Sequence, residues 1–504
     1  MTPVGPLERG LAVLCALAAA PGGRLPPSTL VKATGLARSP VDRIAATLAR
    51  LGYVREESRE LVLAPRLLRL GGAYLRSAGI AEAVDPLAAR LADELDESVS
   101  VAVPDGGAVR FVVQHTRRRA LSVSFRVGDV LPAERCAPGL LFAEAGAEGE
   151  AGAAARGWAV DDQLIEPGLV AVAVPVRDPG SGALYALSAV SHTSRHSAEG
   201  LRAHTLEALR RTAAEMEEAL AAGPEVTDAA PAPAPALDPT PEAKRELGPE
   251  YLQSLARGLA VLAALGEARG GMTLAAVARA TGLSRATVRR SLLSLEELGY
   301  VAGEDGRFAP LPSVLDLGYP LVCGFSLDEI ARPHLAELVR QVHDSASMAV
   351  LDGPDIRYVS RIAASRIMHV AITTGTRFPA YATSMGRVLL AGLTPVERAA
   401  WLATAELRPL TERTRTEPAA LDRIIDAAAR DGYAIVDQEL EDGLRSVAAP
   451  VRGADGSVVA AVNVATHAGR TPESEVRTTV LPALRAAAAR ISADVAAVYG
   501  TRRV

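Results

Sequence analysis

The segment TLAAVARATGLSRATVRRSLLSLEELGYVAGEDGRFAP, residues Thr273–Pro310, decides the fold of the region around it. It holds two short helical patterns separated by Gly282, and Thr273 and Ser284 are residue types that cap the start of a helix. β-Prone strings flank EDG and predict a hairpin. A further helical pattern, SLARGLAVLAALGE, precedes the segment. Three helices followed by a hairpin are the arrangement of a winged helix-turn-helix domain.

The same pattern occurs again near the N-terminus, and the match continues beyond it. The paired strings, first copy before second, are LERGLAVLCAL (Leu7–Leu17) with LARGLAVLAAL (Leu255–Leu265), KATGLARSPVDRIAATLARLGYV (Lys32–Val54) with RATGLSRATVRRSLLSLEELGYV (Arg279–Val301), VAVPDGGAVRFV (Val101–Val112) with MAVLDGPDIRYV (Met348–Val359), and AVAVPVRDPGSGALYALSAVSH (Ala171–His192) with SVAAPVRGADGSVVAAVNVATH (Ser446–His467). A period this long indicates duplication of a whole unit and not a solenoid repeat. Because the N-terminal string recurs inside the chain, we interpret it as a folded helix and not as a targeting signal.

Each copy is predicted to contain two domains. Downstream of each winged helix, strand-like runs such as SMAVLDG, IRYVSRI, HVAITTG and VVAAVNVATH alternate with helical patterns, which favours an α/β (α+β) sensor domain with an antiparallel sheet. A Pro/Ala-rich segment between the copies predicts an extended linker. The predicted limits are 5–65 and 251–312 for the winged helices, 80–222 and 326–500 for the sensors, and 223–250 for the linker.

The two sensors differ in the middle. The first copy has AEAGAEGEAGAAARG where the second has TPVERAAWLATAEL and EPAALDRIIDAAARDGYAIV. The first string predicts a collapsed loop, and the other two predict helices.

Composition narrows the classes of function. The chain has 504 residues and a formal net charge of −5, so DNA binding would have to rest on local basic clusters. No apolar run is long enough for a membrane span. The three cysteines are far apart and offer neither a disulfide framework nor a metal cluster, which fits a cytoplasmic location. No HExxH, GxSxG, P-loop or post-strand GxGxxG motif occurs, so we expect no catalytic residue, no metal and no cofactor, and Ser384 lacks the histidine motif of a nucleophile.

The strings LARGLAVLAAL, TLAAVARATGLSRATVRRSLLSLEELGYV, RFPAYATSMGRVLLA and DQELEDGLRSVAAPV, in this order and spacing, resemble the IclR family of bacterial transcriptional regulators. The resemblance covers nearly the whole chain except the linker and both ends. It implies that each unit is a winged helix-turn-helix domain followed by a GAF-like α/β effector-binding domain. The second copy is most similar to the branch that controls breakdown of protocatechuate and 4-hydroxybenzoate by the β-ketoadipate pathway. The first sensor matches poorly and is interpreted as degenerate.

The helix SRATVRRSLLSL is the predicted recognition helix of the second copy, because side chains near the start of such a helix reach base edges or phosphates in the major groove. The candidate DNA contacts are Arg285, Thr287, Arg289 and Arg290, with Arg307 in the wing, and Arg38, Ser39 and Arg43 in the first copy. Asp42 stands where the second copy has Arg289, so we expect weaker or different contacts in the first copy, or a purely structural domain. Leu292, Leu293 and Leu295 are expected to face the core; the alternative for the whole helix is a charged, solvated surface.

The resemblance also implies which residues surround an effector cavity in the second sensor. By position these are Ser384, Met385, Asp437, Arg445, Ser446 and Asn463. Arg445 is the expected partner of an aromatic carboxylate, because a planar guanidinium binds one through two hydrogen bonds. The alternative is that Arg445 pairs with Glu439 or Glu441 and is structural. The first copy has Ala137, Pro138, Val170 and Ala171 in place of Ser384, Met385, Arg445 and Ser446. We therefore expect the first sensor to have lost the ligand and to serve in dimerisation.

Together these expectations describe a ligand-responsive transcription regulator. Its expected partners are double-stranded operator DNA and a small aromatic carboxylic acid of the protocatechuate or 4-hydroxybenzoate type, with no membrane contact. The chain is expected to form a homo-oligomer such as a dimer, or to act as a covalent pseudo-dimer of its two units. Effector binding can change the spacing of the winged helices only by favouring one arrangement over another. The alternative is a ligand-responsive interaction scaffold without specific DNA binding.

Overall fold

A computed structural model describes residues 5–117, 125–144, 156–222, 245, 248–364 and 372–500 of the chain. The chain divides into two compact units, Met1–Cys323 and Gly324–Val504. The first unit contains both winged helices and the first sensor, and the second unit contains the second sensor. Among the described residues no helix is long and apolar enough to cross a membrane. Most of the predicted linker and of the predicted 143–157 loop lies outside the described residues, as does the start of the HVAITTG run.

The first winged helix is built from short helices and a small antiparallel sheet. Its elements are α1 (Pro6–Ala18), β1 (Arg24–Leu25), α2 (Pro27–Thr34), α3 (Arg38–Leu51), β2 (Val54–Glu57) and β3 (Glu60–Leu63). A 3-10 turn (Pro65–Leu67) and α4 (Leu68–Ser77) then lead into the first sensor. The hairpin strand β3 pairs with both β1 and β2.

The first sensor is a sheet covered by helices. Its elements are a π-helical turn (Ile80–Val84), α5 (Asp85–Leu95), β4 (Ser98–Asp105), β5 (Ala108–His115), β6 (Val130–Pro132), α6 (Ala137–Glu144), β7 (Ala159–Asp162), β8 (Leu169–Arg177), β9 (Leu184–His192) and α7 (Ala198–Ala221). The strand order is β6-β5-β4-β9-β8-β7, and every neighbouring pair is antiparallel. The apolar side chains of α5 and α7 pack on one face of this sheet and form its main core.

The second winged helix repeats the first. Its elements are α8 (Gln253–Ala264), β10 (Met272–Thr273), α9 (Leu274–Thr281), α10 (Arg285–Glu297), β11 (Val301–Glu304) and β12 (Arg307–Pro310), followed by a 3-10 turn (Pro312–Leu317) and α11 (Tyr319–Val322). Thr273 and Ser284 cap α9 and α10 as predicted, since their hydroxyls accept hydrogen bonds from the backbone N–H groups of Ala276 and Thr287. Asp305 and Gly306 both have positive φ, which suits the tight turn of the predicted hairpin.

The second sensor has the same sheet with additional helices. Its elements are α12 (Leu327–Val342), β13 (Ser345–Asp352), β14 (Asp355–Ile362), β15 (Arg377–Pro379), α13 (Ser384–Ala391), α14 (Pro395–Thr404), α15 (Pro418–Asp431), β16 (Ala434–Asp437), β17 (Leu444–Arg452), β18 (Val458–His467), α16 (Glu473–Glu475), a π-helical turn (Val476–Val480) and α17 (Leu481–Tyr499). The strand order is β15-β14-β13-β18-β17-β16, again antiparallel throughout. The mixed helix and sheet architecture, twice over, confirms the predicted α+β fold class.

The two winged helices pack against each other through α1 and α8. Leu7 faces Gly258, and Leu255 faces Gly10, so closely that a Cβ on either glycine would come within 3.0 Å of a methyl carbon of the leucine. In the repeat, Leu7 corresponds to Leu255 and Gly10 to Gly258. The leucine of each copy therefore contacts the glycine of the other copy. Such reciprocal contacts are characteristic of a dimer interface with two-fold symmetry.

The first sensor also holds the end of the second winged helix. The buried Arg110 guanidinium of β5 donates to Asp316 (2.6 Å) in the Pro312–Leu317 turn, as well as to Asp105 and the Gly128 carbonyl. Burial alone would lower the pKa of Arg110, but the hydrogen bonds and charges of Asp316 and Asp105 outweigh it and raise the pKa. The first sensor thus helps to hold the turn that follows the second winged helix.

One expectation about the core is wrong. Leu292 and Leu295 of α10 are buried, but Leu293 is 51% exposed. The buried positions Val288, Ser291, Leu292 and Leu295 repeat every three or four residues, and Leu293 falls one step outside this stripe.

Candidate functional site

The candidate DNA-contacting surface of the second copy is the exposed side of α10. Arg285, Arg289 and Arg290 are all exposed, because the buried stripe lies on the opposite side of the helix. Thr287 is half-buried, and its hydroxyl lies 2.9 Å from that of Ser284. Arg307 of the wing is also half-buried and donates to the Gly271 carbonyl at 3.1 Å. The structure thus brings three guanidinium groups to the start of one helix.

The equivalent helix of the first copy, α3, presents a different charge pattern. Arg38, Ser39 and Arg43 are exposed, as is Asp42. The Arg38 Nε donates to both carboxylate oxygens of Asp42, at 2.8 and 2.9 Å. One of the two arginines is therefore already paired with a carboxylate on the same helix.

A cavity of about 660 Å³ lies in the second sensor, between the sheet, the start of α13 and the loop before β17. Its wall combines aromatic rings with polar and cationic groups. Its lining includes Tyr358, Arg361, Phe378, Thr383, Ser384, Met385, Ser446, Asn463 and Arg470. Tyr358 and Phe378 meet edge to face, with their ring centroids 5.9 Å apart. This mixture of apolar wall and few polar groups is typical of a small-molecule site.

Four of the six predicted effector residues line this cavity. They are Ser384, Met385, Ser446 and Asn463. The hydroxyls of Ser384 and Ser446 lie 2.9 Å apart and join α13 to β17 across the cavity wall. The Asn463 side chain is buried, and its Oδ1 has no hydrogen-bond partner among the described residues. A buried amide oxygen without a donor is costly unless a bound group supplies one.

The other two predicted residues, Asp437 and Arg445, do not line the cavity. Arg445 alternates with Ser446 along β17, so its side chain leaves the opposite face of the sheet. There its Nε donates to Asp437 at 3.0 Å and its Nη1 to the Thr471 carbonyl at 2.6 Å.

Neither of the carboxylates expected as alternative partners of Arg445, Glu439 and Glu441, forms an ion pair with it. Glu439 accepts from the buried Arg387 guanidinium at 2.6 Å and from the Arg415 backbone N–H at 3.0 Å. Arg387 also donates to the Tyr381 carbonyl. This buried pair fixes the loop after β16 against the start of α13, beside the cavity.

Among the described residues, two guanidinium groups line the cavity, those of Arg361 and Arg470, which the sequence did not single out. Arg361 lies on β14, where Ala349 pairs with Tyr358 but Met348 pairs with Ser360, so Val359 is an extra residue. This β-bulge puts Tyr358 and Arg361 on one face although they are three residues apart. Burial lowers the pKa of the Arg361 guanidinium, and its Nη1 lies 3.5 Å from the Ser347 hydroxyl.

Arg361 and Asn463 occupy one row across the sheet. Ser347 of β13 pairs with Arg361 on one side and with Asn463 on the other. Two strand spacings, roughly 10 Å, therefore separate the backbones that carry the Arg361 guanidinium and the Asn463 amide. Arg470 closes another part of the wall and forms an ion pair with Asp344.

The same row in the first sensor has lost its charge. Gln114 takes the place of Arg361, and Ser188 takes the place of Asn463. Both polar atoms of the Gln114 side chain have no hydrogen-bond partner among the described residues. Phe111 and Phe125 stack nearby, with centroids 5.2 Å apart. The first sensor therefore has no cationic group in this row.

Two family models match the chain, each over two separate regions. The IclR helix-turn-helix domain matches residues 6–58 and 254–305. The bacterial transcriptional regulator IclR C-terminal domain matches residues 151–218 and 322–493.

Individual proteins match over about half of the chain. A Pca regulon regulatory protein of Pseudomonas putida is 42% identical over 240 residues, which are 47% of this chain and 82% of the relative. A p-hydroxybenzoate hydroxylase transcriptional activator of Acinetobacter baylyi is 32% identical over 251 residues, 49% of this chain and 93% of the relative. The crystal structure of a transcriptional regulator from Rhodococcus sp. RHA1 is 53% identical, covers 49% of this chain and 99% of its own, and has a TM-score of 0.47.

Proposed function

The chain belongs to the IclR family of bacterial transcriptional regulators, and from that premise we propose that its second sensor binds a small aromatic carboxylic acid and that the protein thereby controls genes of aromatic acid catabolism. Membership of a family of regulators also means that it is not an enzyme. Two relatives support the aromatic assignment, since one is named for the Pca regulon and the other for p-hydroxybenzoate hydroxylase.

The observation that carries the proposal is the row formed by Arg361 and Asn463. A carboxylate needs a charge-assisted donor, which Arg361 supplies. A ring hydroxyl at the far end of the molecule needs an acceptor, and Asn463 Oδ1, which has no donor among the described residues, supplies one. Tyr358 and Phe378 offer aromatic surface against which the ring of the ligand, between its carboxylate and its hydroxyl, can pack. The chemistry of this row matches 4-hydroxybenzoate or protocatechuate.

The proposed carboxylate partner is therefore Arg361 and not Arg445. Arg445 is held by Asp437 and Thr471 on the other face of the sheet. We assign Arg445 and Asp437 to positioning the edge of the cavity. Ser384, Met385 and Ser446 complete the proposed wall around the ring.

The proposed DNA contacts are the exposed side chains at the starts of α10 and α3. Arg285, Arg289 and Arg290 project from α10 toward solvent, where a major groove can receive them. We assign Arg307 to holding the wing, because it already binds the Gly271 carbonyl.

The test is DNA binding by the purified chain in a salt series, using the DNA next to its own gene. The series is repeated with 4-hydroxybenzoate, protocatechuate or benzoate. Selective binding that responds to a hydroxylated aromatic acid is the expected result. Selective binding without any response to these acids overturns the effector assignment. Absence of selective binding under every condition overturns the DNA part and favours an interaction scaffold.

A further inference from the structure

We propose that one chain reads a non-palindromic operator made of two unlike half-sites, with Asp42 and Arg289 as the residues that make the half-sites differ. This inference rests on the proposed function and names the DNA that it requires. It follows from two observations, the symmetry of the interface between the winged helices and the asymmetry of their recognition helices.

The interface determines that the two recognition helices act as a pair. Leu7 contacts Gly258 and Leu255 contacts Gly10, so the contact is reciprocal about a pseudo-two-fold axis. The Thr47 hydroxyl of α3 also accepts a hydrogen bond from the Leu252 backbone N–H at 3.0 Å, directly before α8. Two winged helices related by a two-fold axis present their recognition helices to neighbouring half-sites of one duplex. Here both winged helices belong to one chain.

The recognition helices themselves are not equivalent. Arg38 and Arg43 of α3 correspond to Arg285 and Arg290 of α10, but Asp42 corresponds to Arg289. The difference at this single position is two units of charge. Because Asp42 is exposed and binds the Arg38 guanidinium through both carboxylate oxygens, it also competes with phosphate for Arg38.

This substitution changes what a half-site must offer. An arginine in the major groove favours guanine, whose N7 and O6 accept two hydrogen bonds, whereas an aspartate favours the N4 donor of cytosine. A carboxylate close to phosphates also removes an electrostatic contact. In a symmetric homodimer both half-sites meet the same helix, so the operator is palindromic. In this chain each half-site meets a different helix, and a palindrome fits only one of them.

The experiment is selection of DNA by the full-length protein from a random double-stranded library, followed by affinity measurements on the recovered site. Two further duplexes are compared with it, each built from one half-site repeated as a palindrome. The expected motif has two unlike halves, and wild-type protein binds it more tightly than either palindrome. Asp42→Arg is expected to reverse the preference toward the palindrome of the α10 half-site, by at least tenfold.

The matched control is Glu218→Arg, which makes the same change of charge on α7 of the first sensor. It is expected to leave the order of preference unchanged. A selected palindrome, or an unchanged preference in Asp42→Arg, overturns this inference while leaving the proposed function intact. Recovery of no motif at all overturns the proposed function and the inference with it. The selection uses wild-type protein, so the result does not depend on the folding of a variant.

Discussion

The side chain of Arg361 shows how one extra residue in a strand changes the chemistry of a cavity. In an undisturbed strand alternate residues share a face, so counting by two from Tyr358 leads to Ser360. The bulge at Val359 instead puts Arg361 on the cavity face, opposite Ser347. The cavity gains a guanidinium, which can bind the carboxylate of the proposed ligand.

Arg361→Gln is predicted to weaken binding of 4-hydroxybenzoate roughly tenfold to a hundredfold, the value of a charge-assisted hydrogen bond of about 1.5–3 kcal/mol. Glutamine is the residue at the equivalent position of the first sensor, Gln114, so it is compatible with the fold. Isothermal titration calorimetry measures the affinity. The control is Arg357→Gln on the same strand, whose side chain is exposed beside Asp352. Equal losses in both variants, or none in Arg361→Gln, would contradict the assignment.

Asn463→Ala is predicted to remove the preference for a hydroxylated ring over a plain one. Asn463 Oδ1 has no donor within the described part of the chain and can accept a hydrogen bond from the hydroxyl of 4-hydroxybenzoate, a group that benzoate lacks. A neutral hydrogen bond contributes about 1 kcal/mol, so the ratio of the two affinities should fall roughly fivefold. Titration of both acids into both proteins measures this ratio. An unchanged ratio would place the hydroxyl elsewhere in the cavity.

Asp161 of the first sensor gives a prediction about pH. Its carboxyl is buried, and burial raises its pKa, partly offset by the hydrogen bond from the Leu164 backbone N–H at 2.7 Å. A raised pKa means that the folded state binds the proton more tightly than the unfolded chain does. The contribution of Asp161 to stability therefore falls as pH rises above the unfolded pKa of about 3.9 and through the folded pKa.

Asp161→Asn keeps an oxygen that accepts from Leu164 but carries no charge. It is predicted to raise the unfolding temperature of the first sensor at neutral pH, and the gain should disappear below about pH 4. Calorimetric scans across pH measure the effect. Asp162→Asn is the matched control, since the neighbouring Asp162 is exposed. A gain that does not depend on pH would show that the effect comes from packing and not from ionisation.

At this scale the sequence located part of the cavity. The family resemblance predicts Ser384, Met385, Ser446 and Asn463 around the cavity, and the structure puts them in the cavity wall. Their role in binding stays a prediction. Arg361 was missed because a bulge depends on the register with β13, which no local pattern records. The resemblance also predicts Arg445 in the cavity, which is wrong, because Arg445 alternates with Ser446 on β17 and the two side chains cannot share a face.

At the scale of elements, local signals were reliable where the backbone itself dictates the structure. The hydroxyls of Thr273 and Ser284 satisfy N–H groups that a helix leaves unpaired, and this requirement is the same in any tertiary context. The tight turn at Asp305 and Gly306 likewise depends on the backbone conformation of those two residues, both of which have positive φ. Packing between elements cannot be predicted from such local signals, because the contact of α1 with α8 joins residues that are about half the chain apart.

A double-mutant cycle at this interface is predicted to show strong coupling. Gly258→Ala places a Cβ against the buried Leu7 side chain and should destabilise the first unit by about 1–3 kcal/mol. Leu7→Ala alone leaves a cavity and should destabilise it by about 2–5 kcal/mol. In the double variant the new methyl group occupies space that Leu7 vacated, so the loss should be smaller than the sum.

Calorimetry of the four proteins measures the coupling, and DNA affinity provides a second readout. Additive losses would mean that Leu7 and Gly258 do not meet in solution. Loss of DNA affinity in Gly258→Ala, with recovery in the double variant, would link the α1–α8 contact to the pairing of the recognition helices.

At the scale of the whole molecule, the net charge is unfavourable for binding DNA. The chain carries a formal net charge of −5, yet it belongs to a family of DNA-binding regulators. Phosphate attraction must therefore come from a few local arginines and not from the overall field. Arg289 and Arg290 are adjacent and exposed near the start of α10. Arg210 and Arg211 form a similar exposed pair on α7 of the first sensor, where no contact with DNA is proposed.

These two pairs allow a matched test of where the salt dependence arises. Each phosphate contact contributes about 0.9 to the slope of log affinity against log salt concentration. Arg289→Ala with Arg290→Ala should therefore make the slope shallower by up to about 1.8 and weaken binding most at low salt. Arg210→Ala with Arg211→Ala changes the net charge equally and should leave the slope unchanged. Equal changes in both double variants would show that the overall field drives binding, and the assignment of α10 as the main contact with DNA would then fail.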